Sequence, residues 1–158
     1  MTNSDDDTMG SEISFETWMR VNKVLQAYAD ALDRADIAAL LALFTPDAIW
    51  DYSLGTVRQG HDAIRGFFEE RLRAFERTSH NVSPPTVRRG SEKGAYESTA
   101  YFMAAHLLRD GTRYTVWGRY VDVFRLVDSG LLISRRGVIA HVTEGTSRKY
   151  NLLSRKTG

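Results

Sequence analysis

The hydrophobic period of this chain changes once, near residue 79, and that change restricts the fold more than any other feature. Before it, apolar residues recur at helical spacing; after it they alternate. The segment FETWMRVNKVLQAYADALD, residues 15–33, places Val21, Val24, Leu25, Tyr28, Ala31 and Leu32 on one helical face. Asp36 is a suitable N-cap for a second helix, IAALLALF, which must end before Thr45–Pro46. DAIWDYSL has the aromatic content of a short strand closed by Gly55. Residues 61–77 form a third amphipathic segment carrying Ile64, Phe67, Phe68, Leu72 and Phe75. Four strand-like runs follow, at residues 80–90, 94–108, 113–127 and 131–143. They are separated by Gly90–Ser91, by Asp110–Gly111, a strong hairpin signal, and by Asp128–Ser129–Gly130. Tight turns between neighbouring runs require antiparallel pairing. Helices first and strands afterwards specify an α+β class, three helices covering one face of a curved antiparallel sheet, and not a doubly wound fold.

At 158 residues, one domain is expected, and a chain of this size buries roughly 70% of its unfolded surface, enough to enclose a pocket. We place that domain at residues 13–145, between a polar, acidic and disordered lead at 1–12 and a basic tail at 146–158. The absence of cysteine excludes disulfides, thiolate metal sites and a cysteine nucleophile. No apolar run approaches the roughly 18 residues of a membrane span, and the N-terminus lacks the order of a secretory signal, so a cytoplasmic location without membrane association is expected. No pair of histidines has metal-ligand spacing, and no GxGxxG, phosphate loop or GxSxG is present, so neither metal nor cofactor is expected.

Acid–base chemistry then falls to histidines, carboxylates and tyrosines. His61 belongs to a helix start and His106 to the neighbourhood of a hairpin end. His80 opens the first run after the third helix, and His141 lies in the last, where alternation sets it with Ile139 and Thr143 and against Val138, Ala140 and Val142. Asp33 ends the first helix, where a carboxylate opposes the helix dipole; it is either a solvated turn residue or a group kept to hold a partner such as a histidine. Tyr28 lies on the apolar stripe, as a core residue or as a donor to a substrate carbonyl.

The order and spacing of several segments over residues 15–145 resemble the SnoaL-like branch of the NTF2-like superfamily. They are YADALD, LLALFTPDAIWDYSLG, GHDAIRGFF, SHNVSPPTV, GRYVDVF and the strand after SGLL. The resemblance implies a helix-covered, cone-shaped sheet. Within that branch the pattern is most similar to cofactor-free lyases such as bile-acid 7α-dehydratase, scytalone dehydratase and hexachlorocyclohexane dehydrochlorinase. These use an aspartate at the end of the first helix and a histidine opening the strand after the third. Asp33 and His80 stand at those positions, and Tyr28 at the position of the bile-acid enzyme's tyrosine. Trp50 matches a pocket aromatic of the dehydrochlorinase. The last-strand arginine of the bile-acid enzyme is replaced by Ala140, with Arg136 four residues earlier on the same face.

The same resemblance implies a dehydratase-type β-elimination with His80 as base, Asp33 orienting it and Tyr28 at the carbonyl or the leaving hydroxyl. The substrate would be a hydrophobic, cyclic, steroid-like or polyketide-like small molecule against Trp50, Phe102, Trp117, Tyr120 and His141. Two alternatives remain: an isomerase or cyclase of the ketosteroid-isomerase type, pairing Tyr28 with Asp51, and a non-catalytic ligand-binding or dioxygenase small-subunit-like protein. Relatives imply a homo-oligomer, a trimer in preference to a dimer. Val121, Val123, Leu126, Leu132 and Ile133 exceed what one cone interior needs, which suits an outer face that is covered. Nucleic acid is not an expected partner, because the adjacent Arg88–Arg89 and Arg135–Arg136 pairs point to opposite strand faces. The net charge of +1 hides a division. Residues 1–79 carry 8 basic and 14 acidic side chains, residues 80–158 carry 13 and 6, and ion pairs between the two parts are expected at the rim.

Overall fold

The computed structural model describes residues 12–52 and 56–146; the expected lead at 1–11, the tip of the first turn at 53–55 and the tail at 147–158 lie outside them. Helix α1 spans Phe15–Asp33 and opens on Ser14, whose hydroxyl accepts the Thr17 amide at 3.2 Å. Its buried stripe is Val21, Leu25, Tyr28, Ala29, Ala31 and Leu32. The chain reverses through Ala35, a residue with positive φ (53°). Asp36 then caps α2 by accepting the Ala39 amide at 2.9 Å. Helix α2 covers only Ile37–Leu41, shorter than the apolar run, because Leu43 and Phe44 join the sheet: the Ile133 amide donates to the Leu43 carbonyl. Strand β1 (Phe44–Tyr52) pairs with a short strand the sequence did not announce, β2 (Thr56–Gln59).

Helix α3 (Gly60–Arg73) stops four residues before the expected end. Phe75 fits the helical stripe, but it starts strand β3 (Phe75–Val82), paired with the far end of β5. The expected strand at 80–90 is two strands, β3 and β4 (Thr86–Arg89), broken at Ser83–Pro84–Pro85, where prolines supply no amide hydrogens. Strands β5 (Ala95–Leu108), β6 (Arg113–Val127) and β7 (Gly130–Glu144) agree closely with their expected bounds. The sheet has seven strands in the order β2-β1-β7-β6-β5-β3, with β4 beside β5. All pairs are antiparallel except β1 with β7. Helices pack on one face of this curved sheet, as expected for the α+β class. No helix among the described residues is long and apolar enough to cross a membrane.

Alternation decides which side chains meet the helices. On β5 and β6 the inward set includes Ala100, Phe102, Ala104, Val116, Tyr120 and Phe124, all buried. Ile133, expected on the outer face, is fully buried inside, whereas Val121 and Leu126 are exposed. Gly118 lies opposite Phe102, whose ring covers it. A Cβ at 118 would stand 2.9 Å from Phe102 Cε1 and Cζ and collide with the Ile139 carbonyl. Absence of a side chain here lets Phe102 lie flat against Tyr120, centroids 4.4 Å apart.

Candidate functional site

A cavity of about 60 Å³ opens between α1, α3 and the inner face of the sheet. Its wall is strongly aromatic. Trp50 packs on Phe67 at 4.5 Å, on Tyr52 at 5.1 Å and on Phe68 at 5.3 Å between centroids. On the opposite side stand Tyr28, Tyr120 and Phe102. The polar groups in this lining come chiefly from two strands: Thr78 and His80 on β3, and His106 on β5.

The end of α1 meets the edge strand β3 at Asp33. This carboxylate accepts three hydrogen bonds, from the Thr78 hydroxyl at 2.8 Å, the His80 amide at 2.9 Å and His80 Nδ1 at 2.7 Å. β3 ends the main strand path, so the His80 amide has no strand to its outer side. Asp33 supplies that acceptor and in doing so fixes the ring. Burial alone would raise the Asp33 carboxyl. The bonds from the His80 ring, the His80 amide and Thr78 outweigh it and hold the carboxyl below its usual value. They also offset the unfavourable place of a negative charge at a helix C-terminus, which costs about 0.3–1 kcal/mol. The His80 side chain is only 9% exposed. With Nδ1 donating to Asp33, the neutral ring carries its lone pair on Nε2. His80 lines the cavity and Asp33 does not, so Nε2 is the nitrogen offered to the cavity.

Below the tyrosines lies a second pair. Arg136 donates from Nε and Nη2 to the two oxygens of Asp122, its direct cross-strand neighbour, at 2.9 and 2.7 Å. Both side chains are completely buried. Burial would lower the Arg136 guanidinium, but the Asp122 carboxylate more than reverses this, so it stays charged. The guanidinium sits 3.9 Å from the Tyr28 ring centroid and 4.3 Å from that of Tyr120. Burial raises the Tyr28 hydroxyl above its ordinary value, against the opposing pull of Arg136 and Trp50. Trp50 Nε1 and Arg136 Nη1 make no hydrogen bond of standard geometry, although both groups act on this phenol. Tyr28 is therefore a hydrogen-bond donor at neutral pH, not a source of phenolate.

Of the residues expected at the site, Asp33 and His80 come together, and Tyr28, Trp50, Phe102 and Tyr120 line the same cavity. Trp117 and His141 do not. Trp117 faces outward beside Met103, because Val116 and Tyr120 take the inward positions of β6. His141 takes the outward position next to the buried Ala140, at a register shift where Trp117 pairs with Val142 and Gly118 with Ala140, and its ring lies against the exposed Tyr101, centroids 5.8 Å apart. Asp51 also leaves the cavity, bonded to Arg135 at 3.2 Å, so the pairing of Tyr28 with Asp51 has no geometric support. Sequence reasoning missed His106. Its ring is perpendicular to that of His80, 5.7 Å between centroids, and stacks on Tyr114 at 4.3 Å. The signal was present, since period two carries the inward face of Phe102 to His106. Burial, then the neighbouring His80 and Arg71, lower His106 to about 4, so it is neutral at physiological pH.

Comparison with solved structures agrees with this architecture. A protein of Novosphingobium aromaticivorans, provisionally named an aromatic ring hydroxylase, superposes with a TM-score of 0.80 at 29% identity, over 85% of this chain and 96% of its own. A second protein of that organism, provisionally named a scytalone dehydratase, gives 0.80 at 22% identity, over 88% and 94%. A type 2 hexachlorocyclohexane dehydrochlorinase gives 0.75 at 9% identity, over 85% and 92%, a likeness of fold alone. None of the curated proteins compared with the chain matches it significantly. The family model described as a SnoaL-like domain matches residues 16–137, from the second residue of α1 into β7, and so spans every element that builds the cavity. That match makes the chain a member of the SnoaL-like family, and its helix-covered, unclosed sheet is an NTF2-like fold.

Proposed function

We propose that this protein is a cofactor-independent lyase acting on a small cyclic, hydrophobic substrate by dehydratase-type β-elimination. The observation that carries the proposal is the 2.7 Å bond between His80 Nδ1 and Asp33, which leaves Nε2 for an aromatic cavity that Tyr28 also lines. Nε2 accepts the proton from a carbon next to a carbonyl. The C–H electron pair passes through an enolate, whose oxygen the Tyr28 hydroxyl stabilises. Asp33 stabilises the imidazolium while it exists. The pair then forms the carbon–carbon double bond as hydroxide leaves, taking the proton from His80 to become water, and the histidine returns to its neutral state. Neighbours of the same fold named as a dehydratase and a dehydrochlorinase fit this class of reaction. At about 60 Å³ the cavity is smaller than a dry cavity of ~150 Å³ that binds benzene, so a substrate must be small and extend toward the partly exposed Tyr52, Phe67 and Arg71.

The test follows formation of the conjugated enone from β-hydroxycyclohexanones by ultraviolet absorbance, together with deuterium exchange at the α-carbon. His80→Ala is expected to lower turnover by roughly 10²–10⁴-fold with the fold retained by circular dichroism. Undiminished turnover or exchange in that variant overturns the mechanism.

A further inference from the structure

We infer that Arg71 makes this cavity selective for substrates bearing a carboxylate, so that the ring acted on belongs to a small cyclic carboxylic acid. The inference rests on taking the cavity as the substrate site. Arg71 is the cation among the lining residues, and no aspartate or glutamate lines the cavity with it. Its guanidinium lies over two aromatic rings, 5.6 Å from the centroid of Tyr52 and 5.6 Å from that of Phe75. Neither aromatic face accepts a hydrogen bond in the plane of the group, so its N–H edge is the part that can donate. One long bond from Nη2 to the Tyr114 hydroxyl, 3.4 Å, uses one of five donors. Among the described residues no carboxylate lies within ion-pair distance of it, in contrast to Arg125, Arg135 and Arg136, whose acidic partners are in place.

A position in the last turn of α3 suits a cation, but that requirement is met equally by Arg73, which faces solvent. The dipole therefore does not explain why Arg71 turns inward. Arg71, Tyr52 and Phe67 are partly exposed, so the cavity reaches the surface at this end. A carboxylate bound there would remain partly hydrated while its ring entered the aromatic interior, which avoids most of the cost of burying an ion. His106, close to Arg71, is neutral and adds no competing charge. The planar fork of the guanidinium matches a carboxylate in two parallel hydrogen bonds, a geometry a lysine cannot reproduce.

The experiment is calorimetric titration of the full chain with two matched pairs, benzoate against benzamide and crotonate against crotonamide. The wild-type protein is expected to prefer the carboxylate by at least tenfold in one pair or both. Arg71→Gln is expected to abolish the preference by weakening only the carboxylate, and Arg71→Lys to retain part of it. His80→Ala is expected to keep the preference, which separates this site from the base. Equal affinity within both pairs, no binding of any probe, or a preference that survives Arg71→Gln overturns the inference. A preference without loss of turnover in His80→Ala would sink the mechanism and leave the carboxylate site standing; the reverse result would sink only the site.

Discussion

Two acid–base pairs tie this molecule together, and their environments differ in almost every respect. Asp122–Arg136 joins neighbouring strands, is completely buried and is bidentate. Asp33–His80 joins a helix to an edge strand, is partly exposed and holds the histidine through one nitrogen of its ring. A permanent charge sealed beneath two tyrosines can shape its surroundings but cannot exchange a proton with a substrate. A histidine with one nitrogen anchored and the other facing a cavity can do so. Burial of an ion pair is thus a poor guide to where chemistry occurs; a partner that leaves one atom free is a better one.

The largest effect that would sharpen this contrast concerns the buried pair. Asp122→Asn leaves a charged guanidinium without its counter-ion in the interior, and a loss of about 3–5 kcal/mol is expected. For a chain of this length that lowers the thermal midpoint by roughly 6–20 °C. The double variant Asp122→Leu with Arg136→Met should recover most of the loss. A midpoint unchanged in Asp122→Asn would break the distinction, because the pair would then be no more structural than one at the surface.

Next in size is a dependence on pH that belongs to the cavity. Folded His106 takes its proton near pH 4, whereas an unfolded histidine takes it near 6.5. Unfolding binds a proton between those values, so stability falls as pH drops through the window, by about 3 kcal/mol in all. Melts from pH 7 to pH 4 should show this decline in the wild type and a flatter one in His106→Gln. Asp33 acts lower. Its depressed carboxyl contributes stability above the unfolded value of 3.8, and the contribution is lost as pH falls through the folded one. Parallel curves for His106→Gln and the wild type between pH 6.5 and 4 would show that the cavity is not the source of the decline.

The smallest effect is the stability cost of Asp33→Asn. Three hydrogen bonds converge on a partly exposed carboxylate, and the amide retains an acceptor oxygen, so about 1 kcal/mol is expected by urea unfolding. A loss as large as that of Asp122→Asn would make Asp33 mainly an anchor of α1.

Most of the architecture was legible because period and burial coincide. The stripe of α1 and the long strands β5, β6 and β7 each had many residues voting for one face. Boundaries failed where one residue satisfied both periods. Phe75 continues the stripe of α3 yet belongs to β3, and only pairing with Leu108 decides between them. The Asp33–His80 contact came from a resemblance; nothing in residue spacing brings positions 47 apart into contact. Trp117 and His141 were misplaced for a single reason: alternation separates the two faces of a strand but does not say which one meets the helices, and here Val116, Tyr120, Val138 and Ala140 take the inward positions. The expected ion pairs between the acidic and basic parts are present as Asp47–Arg125 and Asp51–Arg135, although both lie within the sheet, and Asp33–His80 crosses from helix to sheet.

Gly118 fixes the floor of the cavity. The residue touches no ligand space itself, yet Phe102 occupies the room that a methyl group at 118 would claim. A side chain there would have to displace both the Phe102 ring, which borders a chamber of about 60 Å³, and the Ile139 carbonyl of the paired strand. The capacity of the chamber is consequently encoded one layer beneath its wall. The size of the chamber is thereby tied to the pairing of β6 with β7, because no side chain can be added at 118 without moving the backbone of both strands.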